Sequence, residues 1–473
     1  MTVTPYRTNV FHDRKELYQL LHTGKQRSLE KKCSQIVSIS QEIEAIDPLA
    51  VLQAIGKPDR LHFYFEKRNK NESIVGIDAV KSITIEGENR FSKSQQFIDK
   101  CLANTLTTGN LNLPYSGPHF FCSFRFFEEK QTTEAPFPSA TVFLPRWQIS
   151  WCDNRCVLVA NILVNPQLNL ERILEKLCSK IKLINYFKRT IIKLPENYHN
   201  NFIIKDKKNS ESFQSSVVSA LKSIQTEKFS KIVLANAIDI VSSQPFHSIC
   251  SLDNLRKRHP DCYVFSTSNG KGQTFMGASP ERLISIDNHQ LLTDALAGSA
   301  PRGKTASEDT DLADQLLRSD KERREHQFVL DFIEERLSQL GLTPQWLSTP
   351  QLLKLSNIQH LWTPIQAQVP NDVHPFEILA KLHPTPAVAG LPRDIALQHI
   401  LHYEHFDRCL YAAPLGWVDY QGKSEFIVGI RSALIEGSQA RLYAGAGIVA
   451  GSDPDKELVE IHLKFQPLLR ALV

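Results

Sequence analysis

Glu457, Glu460 and Lys464 fall at helical spacing near the end of the chain, in the stretch DPDKELVEIHLKFQPLL. They border an apolar stripe of Leu458, Ile461, Phe465, Leu468 and Leu469, so two carboxylates and an ammonium group flank a face that should be buried. A carboxylate in such a place must be paired or must hold a cation. The simpler alternatives are a solvated helix edge, or an i,i+4 salt bridge from Glu460 to Lys464. A second pair, Glu322 and Glu325, lies at i,i+3 in LLRSDKERREHQFVLDFI, with Glu325 on the face of Leu317, Phe328, Val329, Phe332 and Leu340. Two inward glutamate pairs in one chain point to a divalent cation. Oxygen ligands, no nearby cysteine and His326 on another part of the helix favour Mg²⁺ over zinc.

Other side chains could work beside such a cation. Lys231 opens the strand KIVLANAI; it is a surface charge unless the strand end faces a cavity, where lost hydration could make it a base. Glu281 follows a tight corner in FMGASPERLISI. Arg431 alternates with Gly429 and Ala433, and a cation framed by small residues suits an anion pocket, with a salt-bridged arginine as the alternative. His360, in NIQHLWTPI, reads first as a satisfied core histidine. Gly445 and Gly447, in RLYAGAGIV, remove side chains that would keep a ligand off the backbone.

The elements that must position these groups can be placed coarsely. Asp453 is the expected N-cap, and Pro454 the first residue, of a C-terminal helix. Thr305 and Glu308 form a capping box for a helix over Glu308–Leu340. LAGSAPRG (Leu296–Gly303) reads as a loop, and LHPTPAVAGLP (Leu382–Pro392) as a rigid, ligand-facing turn. LYAAPLGWVD, EFIVGIRSALI and RLYAGAGIV form an antiparallel meander. Although GAGIVAG resembles a dinucleotide fingerprint, its third glycine is misplaced and no βαβ unit can be drawn around it. Upstream, Arg14–Ile46 is helical in parts, strands are expected near Leu61–Phe65 and Ser73–Val80, and helices over Ser92–Leu106, Asn169–Phe187 and Phe213–Gln225. Lys193–Ser210 reads as a polar connection.

Composition sets outer bounds. The chain has 473 residues, 42% hydrophobic and 22% charged, with a formal net charge of +4. That is ordinary globular material, without the basic, aromatic-interleaved runs of a nucleic-acid binder. No apolar run reaches the roughly 18 residues of a membrane span, and the N-terminus lacks a signal-peptide core. Nine scattered cysteines without a CxxC pair fit reduced thiols and a cytoplasmic location.

Taken in order, KIVLANA, GASPERL, LAGSAPRG, KERREHQFV, NIQHLWTPI, LHPTPAVAGLP, FDRCLYAAPLGWVD, FIVGIRSALI and GAGIVAGSDPDKE resemble the chorismate-utilising enzymes. That family includes anthranilate, aminodeoxychorismate, isochorismate and salicylate synthases. The match runs from about Phe229 to the C-terminus and continues more weakly upstream through GPHFF and FPSATVFLPRW. The resemblance implies an α+β fold, with an antiparallel β-sheet core covered by helices in a single large domain. Residues 1–205 would be scaffold and 206–473 the chorismate-binding region. It implies Mg²⁺ held by Glu325 and Glu460, with Glu322 and Glu457 as water-mediated or alternate ligands. Arg431 and Tyr411 match a clamp on the enolpyruvyl carboxylate, aided by backbone near Gly445 and Gly447. Lys464 matches a lysine near the metal-bound carboxylate, and Ser299 and His360 join the substrate-binding set. Lys231 matches the general base and Glu281 the general acid.

Within the family, Ala297 stands where aminodeoxychorismate synthases carry a nucleophilic lysine, and the LHPTPAV and YAAPLGWVD wording looks most like isochorismate synthase. The expected chemistry is water attack at C2 with loss of the C4 hydroxyl, in a quinone (menaquinone or phylloquinone) pathway. The chain would act on chorismate as a monomer or weak homo-oligomer, without nucleic acid or membrane. The alternatives are a salicylate synthase, an anthranilate synthase component, or a non-catalytic ligand-binding homologue. Asn236 stands where an arginine is common and Cys409 where glycine is common; neither removes a proposed catalytic group.

Overall fold

The computed structural model describes residues 1–3, 11, 13–129, 135–186, 192, 201–205 and 207–473. Its 21 strands form one hydrogen-bonded network, covered by eleven α-helices among the described residues. The pairing is antiparallel except where Thr105–Gly109 lies parallel to Thr2–Val3 and to Gln35–Ile43. The antiparallel core and the helical cover are as the resemblance implied.

The network branches at Ala140–Cys152. One edge of this long strand takes Glu72–Ile85, while the other is shared by His119–Phe124 and Arg155–Val164. From the first edge an arm runs through His62–Lys67, Tyr263–Ser268, Gln273–Ser279, Ser432–Glu436 and Gln439–Val449 to Lys231–Ser242. From His119–Phe124 a second arm runs through Pro414–Asp419, Ser424–Val428, Arg282–Asp287 and Gln290–Pro301 to Ile358–Gln368. The chain crosses between arms at Pro280–Glu281 and again at Gly429–Arg431. The two crossovers lie side by side, with Val428 N donating to Glu281 O (3.1 Å) and Ala278 N to Arg431 O (3.2 Å).

Several expectations need correcting. The meander has four strands, because EFIVGIRSALI breaks into Ser424–Val428 and Ser432–Glu436, and each half pairs with a different arm. Arg431 is therefore not in mid-strand; it sits at the break with φ +50°. A Cβ on Gly429 would lie 2.7 Å from Leu410 O, so the corner needs glycine there. LAGSAPRG is mostly strand, since Gln290–Pro301 pairs along its length with Ile358–Gln368 and shifts register between Ala297 and Ser299. The single helix over Glu308–Leu340 is two, Ala306–Arg318 and Asp320–Ser338. Ser319 is extended and accepts a hydrogen bond from Glu322 N, ending one helix and capping the next.

Upstream, Arg14–Glu30 is helical and Gln35–Ile43 is a strand. The expected helix over Ser92–Leu106 is Arg90–Ala103, followed by strand Thr105–Gly109. Of the polar connection, residues 193–200 lie outside the described residues; Phe202–Lys205 is a strand and the next helix begins at Lys207. All nine cysteines are free thiols. Among the described residues no helix is long and apolar enough to cross a membrane.

Candidate active site

Two helices deliver the glutamates. The C-terminal helix Pro454–Ala471 packs on strand Gln439–Val449 and begins as its sequence predicts, with Asp453 accepting hydrogen bonds from Asp455 N and Lys456 N. Ile461, Phe465 and Leu468 are buried, which turns Glu457 and Glu460 toward the cavity beside them. Helix Asp320–Ser338 packs on strand Gln290–Pro301 and sends Glu322 and Glu325 into the same cavity. With the open solvent at its mouth included, this cavity has about 830 Å³ of empty space. Its walls hold every expected site residue except Lys231: Glu281, Ser299, Glu322, Glu325, His360, Tyr411, Arg431, Gly445, Gly447, Glu457, Glu460 and Lys464. Lys231 lies directly behind the wall, its Nζ 2.9 Å from Glu325 Oε1.

The four carboxylates share three ammonium groups. Lys231 is fully enclosed and pairs with Glu325. Lys464 Nζ lies 2.6 Å from Glu460 Oε1 and donates to Gly445 O at 2.7 Å. Lys321, which sequence reasoning does not single out, reaches Glu457 at 3.4 Å and Glu322 at 3.6 Å. Its only signal is its place beside Glu322, and a lysine there reads as a solvated helix charge. Burial raises the pKa values of Glu322 and Glu457, and neighbouring Glu325 and Glu460 respectively push them further up. For Glu325 burial acts in the same upward sense, but Lys231 overcomes it and holds the carboxyl below its ordinary value.

Glu281 behaves differently. Its carboxyl is buried on the Pro280–Glu281 crossover, and its pKa is pushed up to about 8 by burial and by Asp294. Lys231, Lys464 and Arg431 offset part of that rise. It is therefore a neutral acid at pH 7 among ionised neighbours.

A hydrogen-bonded chain crosses the second arm. Ser299 and His360 are register partners in adjacent strands, and Ser299 Oγ lies 2.9 Å from His360 Nδ1. Arg431 Nη2 donates to His360 Nε2 at 3.0 Å, which leaves the ring proton on Nδ1. Burial and the adjacent guanidinium hold His360 well below its ordinary value, so the imidazole is neutral. His360 is thus a satisfied core residue and a wall of the cavity at once. His326, by contrast, turns away from the cavity and bonds Thr363 Oγ1 at 2.8 Å.

Two glycines lie where a side chain would displace groups of the site itself. A Cβ at Gly445 would lie 2.6 Å from the Tyr411 hydroxyl, and one at Gly447 would lie 2.6 Å from Glu325 Oε1. The LHPTPAVAGLP turn also faces the cavity, through Ala387 and Val388. Cys409 has φ +52°, which accounts for glycine being common at that position. With Asn236 it borders a different cavity, lined also by Glu404, Asp407 and Arg441.

The donor set can be tested against Mg²⁺. Among the described residues no three His, Cys, Asp or Glu side chains converge closely enough to hold a metal ion by themselves. Mg²⁺ takes one or two carboxylates and keeps several waters, so a small all-oxygen set fits it better than zinc or calcium. Glu325 and Glu460 would be the residues to hold such a cation, which would share them with Lys231 and Lys464.

A mixed α/β fold with a carboxylate- and cation-lined cavity between its two arms defines a class of small-molecule enzymes. A family model described as "Chorismate binding enzyme" matches residues 21–473, and the chain belongs to that family. It is 31% identical to isochorismate synthase MenF of Bacillus subtilis over 97% of each chain. It is 40% identical over 262 residues to the salicylate biosynthesis isochorismate synthase of Pseudomonas aeruginosa, covering 55% of this chain and 54% of that one. Among solved structures it is similar to MenF, the menaquinone-specific isochorismate synthase from Escherichia coli. There the TM-score is 0.74 and the identity 28%, over 96% of this chain and 99% of the other.

Proposed function

We propose that the protein is a Mg²⁺-dependent isochorismate synthase that interconverts chorismate and isochorismate for quinone (menaquinone or phylloquinone) biosynthesis. The observation that carries this reading is Glu281, a carboxyl with a pKa of about 8 in a cavity where Lys231, Lys321 and Lys464 pair the other acids. Hydroxide is a poor leaving group unless protonated, and Glu281 holds a proton for the C4 hydroxyl at neutral pH. Lys231, as the free amine, takes the proton of the water that attacks C2, so the ammonium that pairs with Glu325 must first give up a proton. Arg431, oriented by His360 and Ser299, and the Tyr411 hydroxyl bind the enolpyruvyl carboxylate. Lys464, beside Gly445, faces the ring carboxylate. Mg²⁺, when bound at Glu325 and Glu460 with Glu322 and Glu457 nearby, would neutralise that carboxylate and the negative charge that develops in the transition state. The quinone pathway is supported by the full-length likeness to the B. subtilis MenF and the fold likeness to the menaquinone-specific enzyme of E. coli.

Product identification tests the reading. With chorismate and Mg²⁺ alone, chromatography should show chorismate and isochorismate in a mixture reached from either side, without pyruvate. Pyruvate released in step with salicylate would move the protein to the lyase chemistry of salicylate synthases. Anthranilate formed only with added ammonium would move it to the amine-using branch.

The pH profile follows from the same carboxyl. The Glu281 pKa is raised, so its proton is present below about 8 and lost above it. The kcat should therefore fall on the alkaline side with a midpoint near that value, approaching a slope of one decade per pH unit. A kcat flat to about pH 10 would remove Glu281 from the role of acid.

A further inference from the structure

Strand Lys231–Ser242 leaves part of one edge without a neighbouring strand. That edge pairs with Gly390–Leu391 at Lys231 and Ile232, and with Phe202–Lys205 from Asp239 onward. Between the two, side chains stand in for a strand: Ala235 N donates to Glu404 Oε1 at 2.7 Å, and Arg408 Nη2 donates to Val233 O at 2.8 Å. A second cavity opens beside this gap, with about 1180 Å³ of empty space when open solvent is included. Phe213, Tyr403, Phe406 and Tyr443 give it aromatic walls.

The carboxylates in these walls are already paired. Asp239 holds Arg441 through hydrogen bonds of 2.7 and 2.9 Å, Glu404 pairs with Arg408, and Asp407 with Arg125. Among the described residues no lining carboxylate or guanidinium lacks a countercharge, so an entering ion would meet none that is free. One polar group does stay open. Asn236 is buried, and its Oδ1 accepts from Ala237 N at 2.9 Å, which fixes the amide's orientation. Its Nδ2 has no partner among the described residues, and a buried donor of this kind calls for an acceptor. Tyr443 belongs to the walls of both this cavity and the substrate cavity. It stacks on Tyr411, with ring centroids 5.4 Å apart and planes at 16°.

We infer that this cavity is a second ligand site, for an uncharged aromatic molecule carrying a carbonyl or another neutral acceptor for Asn236. Its occupant steadies Tyr411 through Tyr443. That link rests on Tyr411 binding chorismate; the site itself does not.

Acetophenone, benzoate and benzylammonium share one ring and differ in charge, and ligand-observed NMR follows the binding of each to the full chain. Glu281→Gln saturated with chorismate and Mg²⁺ keeps the active site filled. There acetophenone should bind, and each charged relative should bind about tenfold more weakly. Asn236→Leu, similar in size but without the donor, should weaken acetophenone about tenfold. Ser212→Trp, on a half-exposed helix position, fills the cavity from another wall and should do the same if Asn236→Leu fails to fold. Acetophenone should tighten chorismate binding to Glu281→Gln about fivefold, and chorismate should tighten acetophenone by the same factor. Displacement of acetophenone by chorismate would place it in the active site and overturn the proposal. Equal binding by either charged relative, binding untouched by both substitutions, or no binding would overturn it too. Binding that leaves chorismate affinity unmoved would overturn the link through Tyr443. A failed synthase assay would leave the acetophenone titrations standing, so the two readings fail separately.

Discussion

Glu281→Gln and Lys231→Gln are each expected to lower kcat by about 10²–10⁴-fold, the usual contribution of a positioned acid or base. KM for chorismate should stay within about twofold, because neither side chain is assigned to a carboxylate of the substrate. Glutamine suits Glu281 because the neutral amide replaces a carboxyl that is itself neutral at pH 7. At Lys231 the choice matters more. Truncation to alanine would leave Glu325 without its ammonium partner, and breaking a buried pair on one side costs about 3–5 kcal/mol. Lys231→Gln keeps a donor for Glu325 Oε1 and separates chemistry from folding. Chorismate binding by the inactive variants, measured calorimetrically with Mg²⁺, should persist. Normal turnover in either variant ends that residue's role.

The second large effect concerns the cation. Glu325→Gln is expected to abolish Mg²⁺-dependent turnover, or to move half-activation to at least tenfold higher Mg²⁺, since each carboxylate lost from so small a donor set removes much of the affinity. Four carboxylates now face three ammonium groups. Removing the charge of Glu325 leaves Lys231 enclosed and unneutralised, which opposes a dication further. Circular dichroism and melting temperature should show a folded protein. Glu460→Gln should behave similarly, with less effect on stability, because Glu460 is more exposed than Glu325. Full activity of Glu325→Gln in trace Mg²⁺ would dismiss the assignment.

Part of the site is legible in the amino-acid sequence. Asp453, Pro454 and the stripe ending in Leu469 define their helix locally, so its inward Glu457 and Glu460 can be placed from spacing alone. Glu325 is legible for the same reason. Arg431 stands out as a cation among small residues, but its real position depends on two strands leaving in different directions, and a left-handed corner beside Gly429 looks like strand in one dimension. The Ser299–His360–Arg431 chain is out of reach as an arrangement. It requires Gln290–Pro301 to pair with a strand some sixty residues away, and nothing local encodes that partner. The capping serine at 319 is hidden inside a continuous helical pattern, although a serine three residues before Glu322 is an N-cap signature. Gln35–Ile43 escapes a pattern search because it is buried on both faces and lacks the alternation that marks a half-buried strand.

The side-by-side crossovers and the shared sheet carry a consequence for biogenesis. His62–Lys67 has no partner for its second edge until Tyr263–Ser268 has been synthesised, and Lys67 and Tyr263 are 196 residues apart. His119–Phe124 waits longer still, for Pro414–Asp419 near the end of the chain. A nascent chain on the ribosome therefore holds open strand edges through most of translation, and such edges pair readily with other chains. Closure is a late, long-range event of high contact order. The catalytic half cannot be harvested as a fragment without cutting through the sheet that seats it, and soluble yield in a foreign host will depend on how well chaperones shield those edges until the last strands arrive.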